Sequence, residues 1–310
     1  MPRLAVVFDT NIYRQLSAEA GTELAQEQAA CSVIALANFW SIMELGAHLC
    51  DSEDPHRRIC HRALKAIWAH CTQYDGSALS LRLAGDSDSQ LALSLFNAPL
   101  PGREDQTRLY AQLVEQLATA EIGIVPEGMA QHLDSLRDHR DAVESQFTSD
   151  MQEAIRSMDP SASGWRPWAD DADARRAHLK AVKSGKGLIH LAAALVVRAA
   201  RSVGVELTEE AMHSRADYVL ANFATPLLFY NGMIRKTIES GIDYSVGKHA
   251  NSIWDMQLCF YALNDASVAG IPIALVSNEK AIHAAAREGS AADRVMTLTE
   301  FRRRLTVREF

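Results

Sequence analysis

Residues 4–11 read Leu-Ala-Val-Val-Phe-Asp-Thr-Asn, so five apolar residues lead directly to a carboxylate. A short run of this kind, rich in Val and Phe and bounded by polar residues, is typical of a buried strand. The side chain of Asp9 would then lie at the carboxyl end of that strand. In sheets whose strands alternate with helices, ligands bind beyond these carboxyl ends. The stretch therefore predicts a first strand with a candidate functional carboxylate at its end.

The pattern of strand followed by helix recurs at both ends of the chain. Ser32–Leu36 and Gly270–Val276 are short apolar runs that precede helical patterns, and Arg294–Leu298 is a further strand candidate. Strands that alternate with helices indicate an α/β fold, in which a parallel sheet has helices on both faces. We therefore expect one α/β core built from residues 1–74 and 246–310.

The middle of the chain, residues 75–245, has helical periodicity almost throughout. Apolar residues recur at intervals of three and four in Gln106–Leu117, Met129–Arg156, Leu188–Ser202 and Pro226–Ser240. This region contains no internal repeat and no low-complexity tract. The sequence thus predicts a large, all-helical insertion between the two halves of the α/β core.

Composition and charge restrict the possible classes of function. The 310 residues carry a formal net charge of -8, which disfavours a polycation that coats nucleic acid but permits transient binding through a local basic patch. The 5 cysteines show no paired spacing, which indicates a reduced, cytoplasmic protein. The apolar run before Asp9 is too short for a signal peptide. His190 and Arg198 interrupt the most apolar later stretch, so no membrane span is expected.

Four carboxylates fall where a sheet of this kind holds its ligands. Asp9 and Glu279 directly follow strand candidates, and Asp255 stands in the first turn of a predicted helix. Glu44 lies among apolar residues of another predicted helix. Carboxylates that meet in space repel each other unless cations neutralise them, and hard oxygen ligands favour Mg²⁺ or Mn²⁺ over zinc. Such centres catalyse phosphoryl transfer, because the metal acidifies a water and stabilises charge on the leaving oxygen.

Each of these acids also has a purely structural explanation. Asp9 and Glu279 can cap the helices that follow them, and Ser252 with Asp255 has the spacing of a capping box. Glu44 can be a single polar group that faces solvent. The sequence alone leaves both explanations open, because only the positions of the side chains in space distinguish them.

Four segments taken together resemble the PIN-domain nucleases. The segments are Val6–Asn11, Trp40–Leu45, Ser252–Asp255 and Ala274–Lys280. They look like that family's strand-Asp-Thr-Asn opening, its helical Glu, its central Asp and its strand-Thr-Asn-Asp ending, in the same order along the chain. The resemblance covers under half of the chain. It implies a parallel α/β sheet and a metal-dependent nuclease, usually of RNA.

The resemblance also implies a role for each matching residue. The catalytic, metal-binding acids would be Asp9, Glu44, Asp255 and Glu279. The polar supports that orient them would be Thr10, Asn11, Ser277 and Asn278. Two features depart from the family pattern, since Glu279 stands where the family has Asp, and a long stretch separates Glu44 from Asp255.

The function implied is hydrolysis of phosphodiester bonds with Mg²⁺ or Mn²⁺. Its simplest form is an endoribonuclease that activates water on single-stranded RNA by two-metal chemistry. The expected partners are RNA or DNA, a second copy of the chain, and an inhibitory protein of the kind that restrains PIN-like toxins. Two alternatives remain open, namely a non-catalytic PIN-like module that binds RNA or protein, and a haloacid-dehalogenase-like phosphatase. Asn11 weakens the second, because that class has another Asp at this position.

Basic residues of the insertion are candidates for substrate binding. The densest basic run includes Arg175, Arg176, Lys180 and Lys183, and Lys248 precedes the helix that contains Asp255. A solvated helix face is the alternative for the run, because acidic residues precede it.

Histidines and cysteines are frequent between residues 48 and 71, but they lack the close pairs that zinc sites show. Cys60, Leu64, Ile67 and Cys71 fall on one face of a helix, since eleven residues complete about three turns. We therefore predict that this face is buried and that the thiols belong to the core.

Overall fold

The central sheet joins the two ends of the chain. The computed structural model describes residues 3–74, 76, 78–158, 171–242, 244, 249 and 251–310. Its strands are β1 (Leu4–Phe8), β2 (Val33–Leu36), β3 (Thr72–Tyr74), β4 (Leu79–Leu81), β5 (Ser267–Val268), β6 (Ile271–Val276) and β7 (Val295–Met296). In the central sheet β1 lies between β2 and β6, and β6 also pairs with β5 and β7. The strands predicted from the sequence therefore form, and they meet in one sheet.

Strand β1 is the centre of this sheet. Residues 5–8 register in parallel with residues 273–276 of β6, and residues 4–7 register in parallel with residues 33–36 of β2. Consecutive side chains of a strand point to opposite faces. Every residue from 5 to 8 is nevertheless buried. Both faces of β1 are therefore covered, as expected for a central strand of an α/β sheet.

The sheet is mixed rather than wholly parallel. Strand β7 runs parallel to β6, whereas β5 pairs with β6 in the antiparallel direction. Ala269 and Gly270 connect β5 to β6, and their φ angles are 49° and 77°. Two consecutive residues with positive φ form the hairpin turn that suits the twist of antiparallel strands. The expectation of a parallel sheet thus describes β2, β1, β6 and β7 but not β5.

Helices form most of the rest of the described chain. They are α1 (Thr10–Tyr13), α2 (Ala18–Ala30), α3 (Phe39–Ala47), α4 (Arg57–Cys71), α5 (Ser87–Phe96), α6 (Arg103–Thr119), α7 (Ala130–Met158), α8 (Ala172–Lys183), α9 (Lys186–Ser202), α10 (Glu209–Asn222), α11 (Ala224–Ser240), α12 (Ser252–Leu258), α13 (Lys280–Glu288) and α14 (Leu298–Val307). The four helices predicted in the middle of the chain correspond to α6, α7, α9 and α11. Over the described residues, none of these helices combines the length and the hydropathy that a bilayer crossing demands.

The prediction of an all-helical insertion is wrong at its start. Strand β4 pairs with β3 in a small antiparallel sheet of two strands. Thr72 and Tyr74 in β3 are β-branched and aromatic, so they favour an extended backbone. Gly76 between the strands has a φ of 98°, a conformation that glycine adopts without steric cost.

The helical region packs directly on the elements of the sheet core. Buried residues from both belong to one continuous hydrophobic cluster. At one contact, a Cβ on Gly46 in α3 would lie 2.5 Å from Leu136 Cδ1 in α7. Because glycine has no side chain, α7 can approach α3 closely. The long helix α7 therefore lies against the helix that contains Glu44.

Helix α4 buries the face that its sequence predicts. Cys60, Leu64, Ile67 and Cys71 are all buried, and the cysteines of the chain are free thiols. His70 is buried with them, where its Nδ1 lies 3.0 Å from Tyr13 Oη and its Nε2 lies 2.8 Å from Gln28 Nε2. Burial lowers the pKa of His70 to about 3. The imidazole is therefore neutral in the folded protein at ordinary pH.

His70→Gln tests this buried imidazole. Wild-type unfolded chains take up a proton on His70 below about pH 6.5, whereas the folded protein does so only near pH 3, so acid favours unfolding. Between pH 7 and pH 5 we expect the free energy of unfolding to fall by about 2 kcal/mol more in the wild type than in His70→Gln. Urea titrations at both pH values measure this difference.

The matched control is His132→Gln, which changes an exposed histidine on α7. This variant should follow the wild-type pH dependence. If His70→Gln also loses stability as the wild type does, the imidazole of His70 does not have the lowered pKa that its burial predicts.

Candidate active site

Asp9 lies at the carboxyl end of β1, where the pairing with β6 brings it beside Ser277. The side chain of Asp9 is only 2% exposed. Ser277 Oγ donates a hydrogen bond to Asp9 Oδ2 at 2.7 Å, and the backbone N–H of Asn11 donates one to Asp9 Oδ1 at 3.0 Å. Burial raises the pKa of Asp9, while the hydrogen bonds from Ser277 and Asn11 and the charge of Arg14 oppose this rise. The carboxylate is thus fixed in orientation and can still accept further bonds.

A cavity of about 200 Å³ opens at this edge of the sheet. Its lining includes the four carboxylates of Asp9, Glu44, Asp255 and Glu279. The rest of the lining consists of Thr10, Asn11, Arg14, Asn251, Ser252, Trp254 and Leu258. The acids come from four separate elements, namely the end of β1, α3, α12 and the start of α13. The fold therefore brings together side chains that are distant in the sequence.

The helix that contains Glu44 is tied to the end of β1 by a buried polar network. Asn38 Nδ2 donates to Phe8 O at 3.0 Å and to Ser41 Oγ at 2.8 Å. Asn38 Oδ1 accepts from the backbone N–H of Ser41 at 2.7 Å, which caps α3. Thr10 Oγ1 lies 2.7 Å from Ser41 Oγ. The roles of Asn38 and Ser41 were not predicted from the sequence, although an Asn between a strand and a helix is a typical N-cap.

Glu279 is held by two of the predicted polar supports. Asn11 Nδ2 donates to Glu279 Oε1 at 3.3 Å, and the backbone N–H of Glu279 donates to Ser277 Oγ at 3.1 Å. Asn278 is not part of the lining. Its Oδ1 accepts from the backbone N–H of Leu298 at 3.2 Å, which connects the end of β6 to α14. Asn278 therefore supports the fold at this point rather than the cavity.

Glu44 forms an ion pair inside the cavity. Arg14 Nη2 lies 2.9 Å from Glu44 Oε1, and the two side chains are 28% and 12% exposed. Burial raises the pKa of Glu44, and the charge of Arg14 is the strongest opposing influence. Arg14 was not predicted as a site residue. Its position four residues after Thr10, about one helical turn, is the sequence signal that could have placed it beside the other site residues.

Asp255 lines the cavity together with the three other acids. Burial raises its pKa to about 8, with further increases from the charges of Asp9, Glu279 and Glu44. A carboxyl group in such surroundings favours a proton or a cation near neutral pH.

Helix capping accounts for Asp9 but not for the other acids. Asp9 caps α1 by accepting from the N–H of Asn11. Glu279 precedes α13 without a side-chain capping bond, and α12 begins after Asn251, so Ser252 and Asp255 form no capping box. A structural explanation that covers all four carboxylates is therefore lacking.

The helical region holds the helix that contains Asp255. Ser87 Oγ at the start of α5 donates to Gln257 Oε1 at 2.5 Å. Trp254 is 4% exposed, and its ring centroid lies 6.0 Å from that of Trp40 in α3. These contacts place α12 between α3 and α5. The region between the two halves of the core thus helps to position one of the acids.

The basic candidates of the insertion lie outside the cavity lining. Arg176 pairs with Asp173 on α8, and Lys180 and Lys183 are exposed on the same helix. Arg175 is half-buried on that helix. Lys248 lies outside the described residues. Substrate binding by these five residues stays a prediction.

The donor chemistry of the cavity fits a hard divalent cation. Its acidic oxygens match the ligands that Mg²⁺ and Mn²⁺ prefer. Across the described ranges, no three Asp, Glu, His or Cys side chains are already arranged to hold a metal ion. One reason is visible, because Arg14 engages Glu44 Oε1. Carboxylates on long side chains, such as Glu44 and Glu279, would have to turn toward a common point.

Comparisons with known proteins leave the site to be interpreted from its own residues. The chain matches no protein-family model, no curated protein and no solved structure. The resemblance of four segments to PIN domains therefore stays a prediction. The cavity and its charges do not depend on that resemblance.

Asp255→Asn tests the repulsion in the cavity without any substrate. The folded pKa of about 8 lies above the unfolded value near 3.9, so the stability that the protonated carboxyl provides is lost as pH rises toward 8. In chelator at pH 8, we expect Asp255→Asn to be more stable than the wild type by on the order of 2 kcal/mol. Urea titrations measure this difference, which should shrink as pH falls toward 4.

Asp217→Asn is the matched control, because Asp217 is exposed on α10. It should change stability little at either pH. A wild type that is as stable as Asp255→Asn at pH 8 would show that the four acids do not repel each other as the geometry predicts.

Proposed function

We propose that this chain is a metal-dependent phosphodiesterase that cleaves nucleic acid, with single-stranded RNA as its substrate. The observation that supports this most strongly is the cavity of about 200 Å³ lined by four carboxylates from four elements. Mutually repelling acids destabilise a fold, and perturbed carboxylates in a cleft favour a functional explanation. The likeness of the surrounding segments to PIN-domain nucleases supports the same function.

The cofactor in this proposal is Mg²⁺ or Mn²⁺, which neutralises the carboxylates, acidifies the attacking water and stabilises charge on the leaving oxygen. The residues that would hold it are Asp9, Glu44, Asp255 and Glu279. Oxygen ligands of this number and charge suit either ion.

The remaining chemistry belongs to the residues of the chain. Ser277 and the N–H of Asn11 fix the two oxygens of Asp9, so this carboxylate presents a constant orientation. The amide of Asn11 steadies Glu279. Such supports reduce the reorganisation that the site must undergo during reaction.

The size of the cavity favours a flexible substrate. A space of about 200 Å³ accommodates a phosphate group with a few waters, since each water occupies roughly 30 Å³. A backbone phosphate of a single strand can turn into such a recess more easily than one in a rigid duplex. The preference for RNA over DNA rests on the resemblance to PIN domains.

Asp9→Asn is the decisive variant for this proposal. It keeps the shape of the side chain but removes the charge that attracts a divalent cation. We expect cleavage of labelled single-stranded RNA in Mn²⁺ to fall by about 10²–10³-fold. The double variant Asp9→Asn with Asp255→Asn should be little worse, because both residues serve one centre. Glu279→Gln should be milder, since its longer side chain can act through water.

Asp265→Asn, an exposed change near β5, is the matched control and should cleave as the wild type does. Wild-type cleavage should stop in chelator and leave 5′-phosphate ends. Cleavage that continues in chelator, or survives Asp9→Asn unchanged, contradicts the proposed mechanism. Binding of RNA without any turnover would favour the non-catalytic module instead.

A further inference from the structure

Arg14 is the one basic residue among the described residues that line the cavity. It stands among four acids and contacts one of them directly, with Nη2 2.9 Å from Glu44 Oε1. We propose that Arg14 is an internal counter-cation that competes with the divalent cation for Glu44 and thereby sets the cation affinity of the site. This inference rests on the proposed function, because it concerns the same four carboxylates.

The ion pair of Arg14 and Glu44 is largely buried. The side chains of Arg14 and Glu44 are 28% and 12% exposed, so water screens their attraction less than it screens a surface pair. A carboxylate this well covered requires a partner, because an unpaired buried charge is strongly destabilising. Arg14 is that partner.

Arg14 is not held in place by a hydrogen-bond network. Its Nε is buried without a hydrogen-bond partner within the described chain. Arg103 shows the contrast, because its guanidinium donates to Ser89 Oγ and Gln106 Oε1 and pairs with Asp86. A structural arginine uses several of its five donors in this way. Besides Glu44, Arg14 interacts with the thiol of Cys60, which is a weak hydrogen-bond partner. The attraction to Glu44 is therefore the interaction that an arriving cation would have to replace.

The positive charge of Arg14 lies among the proposed ligands. Arg14 lines the same cavity as Asp9 and pairs with Glu44 at 2.9 Å, so its charge acts on both. A cation that binds these acids must overcome the repulsion of Arg14 and release Glu44 from the pair. A unit charge about 6 Å from a divalent ion, screened as in water, weakens binding about tenfold. Arg14 thus lowers the cation affinity of the site while it compensates the charge of Glu44.

Arg14→Met tests this role, because methionine fills similar space without charge. At pH 8 we expect Arg14→Met to bind Mn²⁺ about tenfold more tightly than the wild type, measured by isothermal titration calorimetry. Arg14→Lys keeps the charge and should stay near the wild-type affinity. The increase in melting temperature on adding Mn²⁺ should also be larger for Arg14→Met, because its cation-free form lacks the partner of Glu44.

Arg198→Met is the matched control, since Arg198 forms an ion pair of 2.8 Å with Asp88 away from the cavity lining. It should bind Mn²⁺ as the wild type does. If Arg14→Met does not fold, Arg14→Gln provides the same comparison. Equal or weaker Mn²⁺ binding by the uncharged variant, beside normal wild-type binding, would overturn the role of Arg14 alone. Failure of every variant and of the wild type to bind Mn²⁺ would overturn the proposed function itself.

Discussion

The parallel pairing of β1 with β6 is the interaction on which the rest of the structure depends. It joins residues 5–8 to residues 273–276 and so closes a very long loop of the chain. The same register sets Asp9 beside Ser277, so the site is a direct product of strand pairing. Closing a long loop costs conformational entropy, which the burial of both faces of β1 offsets. The pairing of β1 with β6 therefore determines both the stability of the sheet and the geometry of the cavity.

The cavity shows how a fold can hold charges that oppose its stability. Most core positions of this protein are apolar, and the buried polar side chain of Asn38 is engaged in hydrogen bonds. At the cavity, by contrast, Asp255 is surrounded by acids and Arg14 compensates only in part. The surrounding helices tolerate this because they are anchored elsewhere, as α12 is through Gln257. Contacts of the helices away from the cavity thus allow the cavity to contain carboxylates that repel each other.

Local sequence patterns predict much of this fold, and long-range geometry accounts for what they miss. Apolar runs identify β1 and β6, and periodicity identifies α7 and α9, because burial of neighbouring residues determines these elements. Strands β4 and β5 are too short to show a pattern, and positive φ at Gly76 and Ala269 reveals their turns only in the structure. Asp9, Asp255 and Glu279 were accessible as strand and helix ends, and Glu44 as a carboxylate among the apolar residues of a helix. The contact of Arg14 with Glu44 was not, since it depends on how α1 crosses α3.

The separation of the acids along the chain has a consequence for biosynthesis. Asp9 and Glu44 are translated before Asp255 and Glu279, and a long stretch of chain separates the two pairs. Strand β1 cannot pair with β6 until β6 has been translated, so its apolar side chains lack that partner until then. A nascent polypeptide therefore carries an incomplete cavity until Glu279 has been added. Whatever chemistry the cavity performs is withheld until β1 and β6 have paired.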